Sequence, residues 1–161
     1  MTPSNDCDSK RGSSSMNIQP DFEEFLALLE KHSVDYMIVG GYAVAFHGFP
    51  RFTKDMDIFF EPTPDNVRRL REALVEFGFT ERDLPQDAFE TKGNLLTFGA
   101  VPVRIDLVND IDGVTFAEAK PNSVRGRYGQ TEVTFIGRED LVRNKRATPR
   151  AKDKADVEEL T

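Results

Sequence analysis

Tyr36 to Val39 is an apolar run that ends in the pair Gly40-Gly41. No other stretch of the chain restricts the backbone so closely. Glycine lacks a Cβ, so it permits turns and close approaches that other residues block. The pair is followed by a short apolar stretch, Tyr42 to His47, and by the break Gly48-Phe49-Pro50. The pattern predicts a buried strand that turns into a short helix. Asp55 to Phe60 then alternates Met56, Ile58 and Phe60 with Asp55, Asp57 and Phe59, which predicts a second strand with one apolar face. Residues i and i+2 of a strand share a face, so the carboxylates of Asp55 and Asp57 lie together, close to the glycine turn if the two strands pair. A glycine turn opening a helix can hold phosphate oxygens on free backbone N–H groups. The combination points to a site for a nucleoside triphosphate and a divalent metal.

The rest of the composition narrows the class. At 161 residues the chain has the size of one domain with a tail. It has no apolar run near the roughly 20 residues that a membrane span needs, and its first residues lack the apolar core of a signal peptide. A single cysteine, Cys7, excludes an internal disulfide framework and disfavours a thiolate zinc site. A cytoplasmic location is the resulting expectation. The net charge of −7 argues against a protein that coats nucleic acid. Between Arg138 and Lys154, however, seven Lys and Arg stand against three acidic residues, a local basic excess.

Residues 1–20 are Ser-rich and polar and are expected to form a disordered tail. Asp21 to His32 reads as an amphipathic helix with Phe22, Phe25, Leu26 and Leu29 on one face, and Asp21 with Glu24 as a capping pair. His47 is read as a packed, hydrogen-bonded histidine, because no ligand partner stands at metal spacing. Thr63-Pro64 opens the clearest helix, with Thr63 as cap, a buried stripe of Val67, Leu70, Ala73, Leu74 and Phe77, and Gly78 as its stop. Arg68, Arg69 and Arg71 read as its solvated face. Leu95 to Phe98 and Val103 to Val108 read as strands joined through Gly99-Ala100. Ser123 to Tyr128 and Thr131 to Ile136 read as a hairpin around Gly129-Gln130. Two closing helices, from Gly137 and from Arg150, complete the chain.

Asp106 sits inside the apolar strand Val103 to Val108. A carboxylate there needs a partner. A metal shared with Asp55 and Asp57 is one such partner; a salt bridge to a nearby arginine is the other. Three carboxylates on two strands can hold two Mg²⁺ ions, the first on the triphosphate and the second on an attacking hydroxyl. Asp106 would bind the second ion or take the proton. Arg51 and Lys145 are candidates to offset the triphosphate charge. Two other Asp-x-Asp pairs, Asp6/Asp8 and Asp110/Asp112, lie in the tail and in a polar turn and carry no such context.

The run Gly40-Gly41, then Arg51-Phe52-Thr53-Lys54-Asp55-Met56-Asp57, then Arg104-Ile105-Asp106-Leu107 resembles the DNA polymerase β-like nucleotidyltransferase superfamily. Within it the pattern is similar to the minimal toxin–antitoxin nucleotidyltransferases related to AbiEii. The resemblance extends over Phe22 to Leu160, with Lys145, Arg150 and Asp153 at matching positions in the closing helices. It implies an α/β fold, a short mixed β-sheet flanked by helices, with residues 21–161 forming a single nucleotidyltransferase-like domain. It implies transfer of a nucleoside monophosphate from an NTP such as ATP to an acceptor hydroxyl, on a tRNA end or a protein side chain, with a cognate toxin or antitoxin as partner. Asp55, Asp57 and Asp106 carry over as metal ligands for two Mg²⁺ ions, with Mn²⁺ as the alternative. Gly40, Gly41, Arg51, Thr53 and Lys145 carry over to the nucleotide. Many superfamily members have serine where this chain has Gly41, so phosphate binding here would rest more on backbone N–H groups. The alternative reading is a non-catalytic nucleotide- or partner-binding module on the same fold.

Overall fold

The computed structural model describes residues 18–49, 53, 55–100, 103–148 and 151–161. The expected tail therefore lies, up to residue 17, outside the described residues, as does Arg51. The architecture is α/β, with a six-stranded mixed sheet and, among the described residues, seven α-helices. The strands are β1 (Tyr36–Val39), β2 (Asp55–Phe60), β3 (Leu95–Ala100), β4 (Val103–Val108), β5 (Val124–Tyr128) and β6 (Thr131–Phe135). The helices are α1 (Pro20–Lys31), α2 (Gly40–Phe46), α3 (Pro64–Phe77), α4 (Gln86–Glu90), α5 (Phe116–Ala119), α6 (Arg138–Arg146) and α7 (Ala151–Leu160). Among the described residues no helix is long and apolar enough to cross a membrane.

The sheet runs in the order β3-β4-β2-β1-β6-β5. β1 pairs antiparallel with β2 and parallel with β6, and β2 pairs parallel with β4. The two hairpin pairs, β3–β4 and β5–β6, form its outer parts. Every residue of central β1 is buried, as a short continuous apolar run should be. The alternation in β2 and β4 buries Met56, Ile58, Ile105 and Leu107. On that side Phe98 of β3 meets Phe25 of α1 and Phe77 of α3, with ring centroids 5.4 and 5.9 Å away. Phe59 points the other way and packs edge-on against Phe116 of α5 at 5.2 Å. Asp57, two residues earlier, shares the face of Phe59.

Several local expectations need correction. α1 starts at Pro20 with Gln19 as its N-cap, so Asp21 and Glu24 form no capping pair. Proline presets the first helical φ and so moves the helix start forward. Thr63 is the N-cap of α3 by position, but its side chain makes no capping hydrogen bond. The side-chain capping box is instead Thr115 with Glu118, at α5. Gly99 and Ala100 are not the turn between strands; they extend β3 and pair with Arg104 and Val103. Arg69 and Arg71 are more than a solvated face, since their guanidinium groups donate to the carbonyls of Ser33 and Leu84 and tie α3 to its neighbours.

Asn66 is the polar residue that joins β1, β2 and α3. It is fully buried. Its Oδ1 accepts from the Asp35 N–H at 2.6 Å, and its Nδ2 donates to the carbonyls of Asp35 and Glu61 at 2.9 and 2.8 Å. The strand ends thus close on one side chain. Asn66→Ala takes the partner from the Asp35 N–H and the Glu61 carbonyl, while the Asp35 carbonyl keeps the Glu61 N–H at 3.3 Å, and should cost about 2 kcal/mol of unfolding free energy. Urea denaturation would measure it; a loss within experimental error would show that these bonds do not hold the strand ends.

Candidate functional site

The site lies where β1 ends and β2 and β4 begin. Val39 pairs with Asp57, so Gly40 follows directly beside that carboxylate. Gly40 has φ +71°, a left-handed conformation that favours glycine. A Cβ at Gly40 would collide with Oδ2 of Asp57. The sequence therefore needs glycine here twice over, for the turn and for the carboxylate that fills the missing methyl's place. Gly41 is buried in the first turn of α2.

Across the sheet, the parallel register sets Asp57 opposite Asp106 and Asp55 opposite Arg104. Burial pushes the Asp57 carboxyl up to about 7; the Asp106 charge, a hydrogen bond with Asp106 and the Asp55 charge add to the rise, and Lys145 counters part of it. Thr97 on β3 donates its hydroxyl to Oδ1 of Asp106 at 2.7 Å, and Arg104 Nε approaches the same oxygen at 3.4 Å. The arginine salt bridge that the sequence allowed for Asp106 is thus present, on one oxygen. Thr53 donates weakly to the Asp55 carbonyl at 3.4 Å, at the entrance to β2.

Lys145 is 4% exposed on α6, and its Nζ lies 3.2 Å from Oδ2 of Asp156 on α7, itself 4% exposed. The structure thus brings Gly40, Asp55, Asp57 and Asp106 into one cluster, with Lys145 near enough to act on Asp57. His47 stays out of it: its Nε2–H donates to the Ile136 carbonyl at 2.8 Å, as a packed histidine should. Sequence reading missed Thr97 and Asp156. Nothing in the sequence marks Thr97 as the neighbour of Asp106. Asp156, by contrast, stands four residues before Leu160, on the same helical face as an inward contact, which could have flagged it.

The donor set suits a hard divalent cation, which takes oxygen ligands. Among the described residues, Asp55 Oδ1 is buried and has no hydrogen-bond partner. Among the described residues no three metal-ligating side chains already surround one point. Asp57 and Asp106 stand at partner positions of β2 and β4, and the Asp106 charge adds to the rise of the buried Asp57 carboxyl. A cation between them would relieve the repulsion between the two carboxylates.

A cavity of about 280 Å³ lies at the other end of β1, among Glu30, Asp35, Tyr36, Lys120 and Arg125. Its charges are closed in pairs, Arg125 with Glu30 at 3.0 Å and Lys120 with Asp35 at 3.4 Å. It takes no part in the carboxylate cluster.

The fold is similar to that of the lincosamide antibiotic adenylyltransferase LnuA in a lincomycin-bound crystal structure. The TM-score is 0.51 at 12% sequence identity, and the match covers 90% of this chain and 98% of that one. At that identity the likeness is one of fold, and the architecture is nucleotidyltransferase-like. No protein-family model and no curated protein sequence matches the chain.

Two expectations follow from the geometry. In Gly40→Ala the new methyl must displace Asp57 and the residue must hold a left-handed φ, so stability should fall by about 1–3 kcal/mol. Chemical denaturation checks this, and an unchanged midpoint would contradict the close approach. The second concerns pH. The Asp57 carboxyl is raised from 3.8 in the unfolded chain to about 7 in the fold. Its proton therefore stabilises the folded state fully at low pH, and that contribution is lost as pH rises from about 4 to about 7. Asp57→Asn should accordingly raise the ligand-free Tm at pH 8 and leave it little changed at pH 5. Equal shifts at both values would refute the assignment.

Proposed function

We propose that the protein transfers a nucleoside monophosphate from a nucleoside triphosphate to an acceptor hydroxyl. The observation that carries this reading is the pairing of Asp57 with Asp106 across two parallel strands, against a glycine that has no room for a side chain. The fold likeness to an adenylyltransferase supports it. The acceptor oxygen forms a bond to the α-phosphorus as the bond from that phosphorus to the bridging oxygen breaks. Pyrophosphate leaves, and the hydroxyl proton passes to a base. Asp55 and Asp57 would hold divalent cations from β2, and Asp106 would complete the set from β4 or take the proton. Two bound Mg²⁺ ions, or Mn²⁺, would neutralise the triphosphate and lower the pKa of the acceptor hydroxyl. The backbone N–H groups after Gly40 and Gly41 would face phosphate oxygens. Lys145, with Arg51 and Thr53, would bind the nucleotide.

The motif resemblance favours a tRNA end or a protein side chain as acceptor, in a toxin–antitoxin pair and in the cytoplasm. A different observation favours a second acceptor class. The fold match spans 98% of an antibiotic-modifying adenylyltransferase, so a hydroxylated small molecule fits a chain of this size equally.

The experiment is label transfer from each α-labelled NTP, with Mg²⁺, into a bacterial lysate separated into RNA, protein and small-molecule fractions. We expect label in one fraction and at least about a hundredfold less with Asp57→Asn, as for loss of a principal electrostatic contact in the transition state. The labelled fraction identifies the acceptor class. NTP binding without label in any fraction would favour a nucleotide-binding module, and full activity of Asp57→Asn would sink the mechanism.

A further inference from the structure

Three strand pairings set one residue from each of four neighbouring strands in a row across the sheet. Val39 on β1 pairs with Asp57 on β2, Asp57 with Asp106 on β4, and Asp106 with Thr97 on β3. Neighbouring strands lie about 4.8 Å apart, so the row spans only about 15 Å. The glycine turn follows Val39 at one end, the carboxylates lie between, and a hydroxyl stands at the other end. Thr97 Oγ1 donates to Asp106 Oδ1 at 2.7 Å. That is within the reach a base needs for the proton it removes. A threonine hydroxyl is a weak nucleophile by itself and becomes an effective one beside such a base. Arg104 Nε approaches the same oxygen at 3.4 Å and helps to fix the carboxylate against the hydroxyl. Thr53, by contrast, donates to the Asp55 carbonyl rather than to a carboxylate, and at 3.4 Å.

A threonine–carboxylate pair across two strands is also an ordinary sheet contact, and an exposed one contributes little to stability. The place of Thr97 is what distinguishes it. β3 is an edge strand. Thr97 is exposed, and so are Leu95 and Gly99, which share its face two residues to either side. This end of the row is open, so a nucleotide has access to the hydroxyl from outside the sheet.

We propose that Thr97 is a modification site: the chain transfers a nucleoside monophosphate from a nucleoside triphosphate to its own Thr97 hydroxyl, with Asp106 as the base. Thr97 Oγ1 forms a bond to the α-phosphorus as the bond from that phosphorus to the bridging oxygen breaks. The hydroxyl proton passes to Asp106 Oδ1, and pyrophosphate leaves with the bridging oxygen. The product is a phosphodiester between Thr97 and the nucleoside. The acceptor is held beside its base by the strand pairing, so the step needs no encounter with a second molecule beyond the nucleotide. The inference rests on the nucleotide-transfer reading and names an acceptor within it.

The test uses the purified full chain with no other acceptor. Its intact mass is read first, because a chain that already carries the group takes no label; a nucleoside monophosphate found on Thr97 at that stage supports the proposal. The chain is then incubated with Mg²⁺ and, separately, with α-labelled ATP, GTP, CTP and UTP. We expect label that survives denaturation, a mass gain of one nucleoside monophosphate, and tandem mass spectra that place it on Thr97. Thr97→Val keeps the branched shape without the hydroxyl and should lose the label from that peptide. Thr97→Ser keeps a hydroxyl and should keep the label. The rate constant should not change when the protein is diluted about tenfold, as for a reaction within one molecule. A rate constant that falls in proportion to dilution would show transfer between copies and overturn the proposal. So would label at another residue, or label from γ-labelled ATP in place of α-labelled. If Thr97→Val does not fold, the site mapped on the parent chain decides. A parent chain that labels a lysate fraction but never itself would overturn this inference and leave the nucleotide-transfer reading standing. A chain that labels neither itself nor any fraction would overturn that reading, and this inference with it.

Discussion

Two carboxylates that repel one another are held across a single parallel strand pair, and the rest of the site depends on that. Asp57 and Asp106 occupy partner positions of β2 and β4. The register is not chosen for them. Met56 and Ile58 on β2, and Ile105 and Leu107 on β4, are all buried on the face opposite the acids. A strand has a period of two, so burying one set forces the other onto the opposite face. A slip of one residue would put both acids in the core and four apolar side chains outside. The hydrophobic alternation that stabilises the sheet is therefore what concentrates the negative charge.

That concentration is unfavourable locally, and the surrounding structure limits it. The Asp57 carboxyl is lifted into the neutral range, so a proton on Asp57 removes part of the repulsion there. Thr97 and Arg104 satisfy one oxygen of Asp106. Gly40 leaves the space that Oδ2 of Asp57 occupies. Local cost of this kind collects at functional sites, where a ligand relieves it. The functional reading here rests on this chemistry; the nucleotidyltransferase-like fold makes it coherent without specifying the acceptor.

The helical layer beside the acids is organised by charge as well as by apolar packing. α7 exposes much of its polar surface, yet Asp156 and Leu160 are buried, the first on Lys145 and the second in the core. On the opposite side of the molecule the helices α1 and α3 pack through aromatic rings, with Phe25 and Phe77 at 5.2 Å. Both sides of the sheet thus carry packing, and the side of Phe59 and Phe116 also carries the acids.

Much of this was legible in the chain. Strand β1 at Tyr36–Val39 follows from a continuous apolar run, β2 at Asp55–Phe60 and β4 at Val103–Val108 from local alternation, and helix α3 between Pro64 and Gly78 from helical spacing. These patterns are set by neighbours in sequence, which share a face at fixed spacing. The helix starts were harder, because proline and a side-chain cap compete to define the first turn, as at Pro20 and Thr63. The grouping of Asp55 with Asp57 was likewise local. That Asp106 stands opposite Asp57, that Thr97 supports it from β3, and that Asp156 holds Lys145 were decided only by the tertiary structure. Periodicity states which face a residue occupies; it carries no information on which strand or helix lies alongside, because that choice belongs to the global packing of the core.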